Sequence, residues 1–191
     1  ERTGDTQAAQ GWCPMIVDTN GDGRIAEWVD RRGELDPTKD KEMGAGWYGI
    51  IPDPTEEHVV WAASGGVPGQ IVRLDLGDNP PETCIAEYYQ PPFNNPDAPI
   101  QGYSPRGLDI TTDGIVWTAL SGSGHMASFD RSKCEVLNGP TATGQHCAAG
   151  WTLHATPGPQ MKGVTRDGSA DFHYYSWVDQ HDTLGLGTNI P

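Results

Sequence analysis

Clustered basic residues, cysteines at metal-binding spacing and long apolar runs are all missing from this chain. Only 12 Lys and Arg stand against 26 Asp and Glu, a net charge of −14. Phosphate backbones are bound by clustered cations, so nucleic acid is excluded as a partner. An acidic surface suits divalent cations or a basic protein instead. No run reaches the roughly 18 apolar residues of a membrane-spanning helix, so none is expected. The four cysteines, Cys13, Cys84, Cys134 and Cys147, form neither CxxC nor CxxCH. Zinc, haem and thioredoxin-like chemistry lose their spacing signal with that. No nucleophile elbow, P-loop or dinucleotide fingerprint occurs, and "SGSGH" is too short, and set between strands, to cradle phosphate at a helix start. A signal peptide is also missing: the chain opens on the polar "ERTGDTQAAQG", and a processed N-terminus or a fragment of something longer is expected.

Glycine and proline are plentiful, at 25 and 16 of 191 residues, which predicts many turns and few long helices. An even cysteine count without metal spacing predicts two disulfides and an oxidising, periplasmic or extracellular compartment. Three pairings are possible. Cys134–Cys147 is favoured because it closes the turn-rich loop "CEVLNGPTATGQHC", leaving Cys13–Cys84 by elimination. A ring of that size contributes about 3 kcal/mol in the chain-entropy account.

Two short stretches read as helix, "AEWVDRR" at 26–32 and "PTKDKEM" at 37–43, the second with Asp36 as cap and Pro37 in the first position. Residues 1–45 therefore read as an N-terminal extension. Residues 46–191 read as strands and turns, and within them two segments repeat. "GIIPDPTEEHVVWAASGGVPGQIVRLD" and "GLDITTDGIVWTALSGSGHMASFD" each run through an acidic turn, an apolar strand carrying Trp, a Ser-Gly turn and a strand ending in Asp. Trp61 matches Trp117 at a period of about 56 residues, and Asp75 matches Asp130. A third copy is read in "GSADFHYYSWVD", with Trp177 matched to Trp117. Several short strands per unit at that period are the signature of β-propeller blades, small sheets that bury their faces by stacking on one another. The expected fold is all-β, a partial propeller of about three units. Such a ring calls for a protein partner or the remainder of a longer chain to complete it. Recurrence of Trp at blade positions favours core packing over carbohydrate stacking.

The segment "DTNGDGRIAEWVD" matches the first half of an EF-hand loop. Asp18, Asn20 and Asp22 place side-chain oxygens at alternate positions, Gly23 permits the sharp turn, and Arg24 offers its carbonyl. The closing position holds Val29, so Glu27, Asp30 or a residue from elsewhere must complete the shell. A structural calcium ion is the expected cofactor. In "DFHYYSWVDQHD", strict alternation would set Asp171, His173, Tyr175, Trp177, Asp179 and His181 on one face, although "VDQHDTLG" reads as a hairpin turn that ends the alternation after Val178.

The segments "GYSPRGLDITTDGIVWTALSGSGHMASFDRSKC" and "GSADFHYYSWVDQHDTLGLGTNIP" resemble the streptogramin lyase-like (virginiamycin B lyase-like) β-propellers, an exported bacterial group. The resemblance covers roughly residues 46–190 and implies the propeller fold more strongly than it implies lyase activity. Lyases of that group use His and Glu near the ring axis with a divalent metal. His125, after the Ser-Gly turn, is a catalytic candidate by its position in such propellers. His173 is one because the alternating face of two His and two carboxylates could hold a metal or do acid/base work. The functional expectation is an exported, calcium-stabilised propeller acting as a binding or structural module, with a metal-assisted lyase or hydrolase as the alternative.

Overall fold

The computed structural model describes residues 12–44, 46–160, 162 and 169–191. Its strands are β1 (Ile16–Val17), β2 (Trp28–Val29), β3 (Asp40–Glu42), β4 (Trp47–Pro52), β5 (Val59–Ser64), β6 (Gln70–Asp75), β7 (Ile85–Tyr89), β8 (Pro105–Ile110), β9 (Val116–Leu120), β10 (His125–Phe129) and β11 (Trp151–Ala155). They form two sheets, ordered β2-β3-β1-β7-β6-β5-β4 and β11-β10-β9-β8. Helix is confined, among the described residues, to two single 3₁₀ turns at 131–133 and 148–150. The all-β expectation holds.

The two short helices expected at 26–32 and 37–43 do not form. Trp28 and Val29 instead pair in parallel with Asp40 and Lys41. Seven residues are too few for a helix that must stand on its own propensity, which needs about 12. Asp30 and Asp36 turn their carboxylates onto the N–H groups of Arg32 and Thr38, each two residues on, and close tight turns where a helix would start. Lys41 Nζ donates to the carbonyls of Asp30 and Gly33, fastening the first of those turns. Residues 12–44 are also joined to the first sheet: Val17 pairs with Ala86 of β7, and a disulfide links Cys13 to Cys84. The second disulfide joins Cys134 to Cys147, so both favoured pairings are present.

Within each sheet four consecutive strands form an antiparallel meander, β4 to β7 and β8 to β11. The repeat read from sequence has the same register in both. Trp61 lies opposite Ile51 and Arg73, and Trp117 lies opposite Asp109 and Ser128. Val59, Trp61, Ala63, Ile71 and Tyr89 of the first sheet pack on Ile110, Phe129, Trp151 and Leu153 of the second. Ring centroids stand 4.5 Å apart for Tyr89–Phe129 and 5.0 Å for Phe129–Trp151. Trp61 is thereby 1% exposed, its indole N–H held by Asp53 at 2.8 Å. Trp117, on the opposite side of the second sheet, remains half-buried and stacks on His154 at 5.0 Å.

The first strands of the two meanders meet at glycine. A Cβ on Gly49 would stand 3.4 Å from the Cα of Gly107. The third stretch then lies against β8 in turn: Gly107 N–H donates to Tyr174 at 3.0 Å, and Val178 N–H to the Asp109 carboxylate at 2.8 Å. A Cβ on Gly107 would come within 2.7 Å of the Tyr175 Cα, so no larger residue fits. The matching of Trp177 to Trp117 is corrected by this geometry. One backbone bond closes each hairpin: Asp53 N–H to Val59, Thr111 N–H to Ile115, and Asp179 N–H to Ile190. Trp177 stands two residues before Asp179, as Ile51 does before Asp53 and Asp109 before Thr111. Its counterparts by position are therefore Ile51 and Asp109 rather than Trp61 and Trp117, although residues 171–178 form no strand. The turn expected after Val178 is present, with the Asp179 carboxylate accepting from Thr183 and Leu184 at 2.8 and 2.7 Å.

Candidate metal centre

The DxNxDG loop leaves β1 at Asp18, which is 3% exposed. Its two carboxylate oxygens accept from Gly21 N–H at 2.6 Å and Gly23 N–H at 2.9 Å. Asn20 Oδ1 accepts from Asp22 N–H, and Asp22 Oδ1 from Arg24 N–H, both at 2.9 Å. Gly21 and Gly23 adopt φ of 81° and 77°, the left-handed region that side chains disfavour, which is why glycine recurs here. The backbone thus holds three acidic or amide side chains around one small turn.

A fourth group, which sequence reasoning missed, stands beside them. Asp40 opens β3 and is completely buried. Its Oδ2 accepts weakly from Ala26 N–H at 3.3 Å, and its Oδ1 has no hydrogen-bond partner. Burial chiefly, and then the carboxylates of Asp18 and Asp22, push its pKa up, while the N–H groups of Ala26 and Asn20 pull the other way. Asp18 and Asp22 lie near enough to act on the Asp40 carboxyl electrostatically, and a divalent ion would offset that like-charge repulsion. The other expected closers lie differently. Glu27 points outward to Lys39 at 3.1 Å, and Asp30 Oδ1 accepts from Arg32 N–H in the exposed turn that follows. Arg24 contributes the N–H already bonded to Asp22. Among the described residues no three acidic, His or Cys side chains converge as a ready-made metal cage.

The loop is braced from the second sheet's side. Gly139 N–H donates to the Asp18 carbonyl at 2.8 Å, and a Cβ on Gly21 would stand 3.3 Å from the Gly139 Cα. Gly139 belongs to the ring closed by Cys134–Cys147. A cavity of about 460 Å³ opens alongside, walled by Val17, Leu35, Met43, Tyr88 and Pro140.

The histidine candidates are not gathered. His125 is wholly buried with Nδ1 3.0 Å from Ser123 Oγ, in register with Leu120 and Ala155. His173 Nε2 stands 3.3 Å from Thr156 Oγ1, at the rim of the same sheet. His146, packed 5.2 Å from the Tyr89 ring, accepts from Gly144 N–H at Nδ1, and burial lowers its pKa. A neutral, stacked imidazole follows.

Two further clusters were invisible in the sequence. Arg106 lies 5.1 to 5.8 Å from the rings of Tyr48, Tyr174 and Phe172, with exposed Tyr175 against Tyr48 and Tyr174. In the interior, Glu87 takes both Nε and Nη2 of Arg131 at 2.7 Å and the Tyr89 hydroxyl at 2.6 Å. That set fastens β7 to the turn after β10 and is structural rather than catalytic. No protein family, curated protein or solved structure matches the chain.

Proposed function

We propose that this chain is part of an exported, calcium-stabilised β-propeller that serves as a binding or structural module. The observation that carries the reading is a repeated close approach, of Gly49 to Gly107 between the first strands of the two meanders and of Gly107 to Tyr175 in the stretch that follows. Each meander then turns its Trp face towards the next: Trp61 is covered by the second sheet, while Trp117 and the exposed Tyr175 and Trp177 lie where a further sheet would stack. A protein partner or the remainder of a longer chain is the natural cover. Two disulfides favour an oxidising, extracellular or periplasmic setting. Among the described residues no helix is long and apolar enough to cross a membrane.

The lyase that the resemblance implies draws no support from the histidines. His125 lacks the access to solvent that a base acting on substrate needs. The test is direct. Cryo-electron microscopy of the protein isolated from its source is expected to show about four or more small sheets around one axis. A two-sheet sandwich with no further units would overturn the fold reading. Incubation with a streptogramin and a divalent metal ion is expected to leave the antibiotic intact; metal-dependent cleavage would replace the module reading with the enzymatic one.

Calcium binding to the native state alone stabilises it by mass action, by about 2.7 kcal/mol at a hundredfold excess over Kd. Adding a chelator to the calcium-loaded protein is therefore expected to lower Tm, and restoring calcium to recover it. A Tm indifferent to both would count against the calcium reading.

A further inference from the structure

We infer that Asp40, from a different strand, is the residue that closes the calcium shell begun by Asp18, Asn20 and Asp22. The inference rests on reading the DxNxDG loop as a calcium loop, and adds the ligand that the loop itself lacks. Val29, at the closing position, has no oxygen to offer from its side chain. Glu27 is turned to solvent and held by Lys39, and Asp30 serves the next turn. Asp40 is different in kind. It is fully buried, its Oδ1 has no hydrogen-bond partner, and its Oδ2 reaches Ala26 N–H, just past the loop, at 3.3 Å. A buried carboxylate oxygen without a donor is costly unless a proton or a cation satisfies it. Calcium takes six to eight oxygens at about 2.3–2.6 Å and accepts carboxylates from any part of the chain.

The placement gives the ion a mechanical role. Asp18 follows β1 and Asp40 begins β3, so an ion held by both joins the two strands beside a ladder of only two residue pairs. β2 depends on β3 for its pairing. Through Gly139 the same loop touches the Cys134–Cys147 ring. Calcium would therefore lock residues 16–42 as a unit and set one wall of the adjoining 460 Å³ cavity, Val17 and Met43 among its lining. In a calcium-poor compartment that wall would be loose.

Terbium is a suitable probe, because Trp28 pairs in register with Asp40 and can sensitise its emission. Terbium luminescence and calcium titration calorimetry would compare the full chain with D40N, E27Q and D30N. D40N is expected to weaken calcium binding at least about tenfold, the lower end seen for merely supporting residues of metal sites, with E27Q and D30N within about twofold. Unchanged affinity in D40N, with a loss in E27Q or D30N, would overturn the assignment of Asp40 and leave the calcium loop standing. No binding by the unaltered protein would remove the calcium reading as well. Should D40N fail to fold, terbium soaked into crystals of the unaltered protein decides by its anomalous peak. A peak within bonding distance of the Asp40 carboxylate supports the inference; a peak on the loop away from Asp40 overturns it. The propeller reading is untouched by either result.

Discussion

Replacing Glu87 with alanine is expected to cost about 3–5 kcal/mol of stability, the range for breaking a buried ion pair by removing one partner. Glu87 is 4% exposed and serves four donor groups on three residues: both arms of Arg131, the Tyr89 hydroxyl, and Arg73 at the longer distance of 3.5 Å. Arg73 is 4% exposed and would keep Glu56 at 2.7 Å and Asp75 at 3.3 Å, so it is not orphaned. Arg131 and Tyr89 are. With no acceptor left, a half-buried guanidinium faces the aromatic core between the sheets, and its desolvation is no longer offset. At about 2–4 °C per kcal/mol for a chain of this size, Tm should fall by roughly 6–20 °C. The double variant E87L/R131M separates two explanations. If the damage comes from the stranded charge, it should recover much of the loss, since apolar replacement of a buried pair is often neutral. If the double variant is as unstable as E87A, packing around Glu87 rather than charge was decisive. A change in E87A below about 1 kcal/mol would show that water reaches Arg131 freely and that the pair behaves as a surface one.

What the sequence made legible was local. Ser-Gly turns and the Trp-bearing strands on either side of them fix two meanders whose registers agree residue for residue, because hairpin register is set by turns a few residues long. The loop of Asp18, Asn20, Asp22 and Gly23 was legible for the same reason: the bonds its side-chain oxygens accept run within a few residues. Where contacts are distant, reading reached the Cys13–Cys84 pairing by elimination and little else. Trp177 was matched by residue type, but type does not distinguish a first strand from a second, and only the Asp179–Ile190 bond does. The helical reading of 26–32 and 37–43 weighed capping residues and overlooked that Asp30 and Asp36 close turns equally well. Asp40 carried no signal at all, since "TKDKE" is an ordinary charged run until β3 pairs with β1 and buries its first residue. Arg131 and Glu87 likewise become partners only through sheet stacking.

Removing the Cys13–Cys84 disulfide by serine substitution at both positions is expected to cost about 4 kcal/mol, because the bridge closes a loop of sequence separation 71 in the unfolded chain. Cys134–Cys147, with a separation of 13, should cost about 3 kcal/mol on the same account. The difference between the two is small, since loop entropy grows only with the logarithm of length. Their local consequences differ far more. Cys134–Cys147 sits within one continuous stretch, whereas Cys13–Cys84 reinforces the single pairing of Val17 with Ala86 that carries residues 12–44 onto the first sheet. Without it, a two-residue strand and the Gly139 bond to Asp18 hold that segment. Hydrogen exchange should therefore show a localised opening of β1 to β3, with protection in β8 to β11 retained until global unfolding. Calcium, where it binds Asp18 and Asp40, would oppose that opening without reaching Cys13. The serine variant should accordingly depend more steeply on calcium than the parent does, because the opening of β1 to β3 is then opposed by fewer other ties. Equal calcium dependence in the two proteins would mean that the disulfide and the loop act on separate cooperative units. Uniform loss of protection across both sheets would mean instead that residues 12–44 fold with the whole and have no opening of their own.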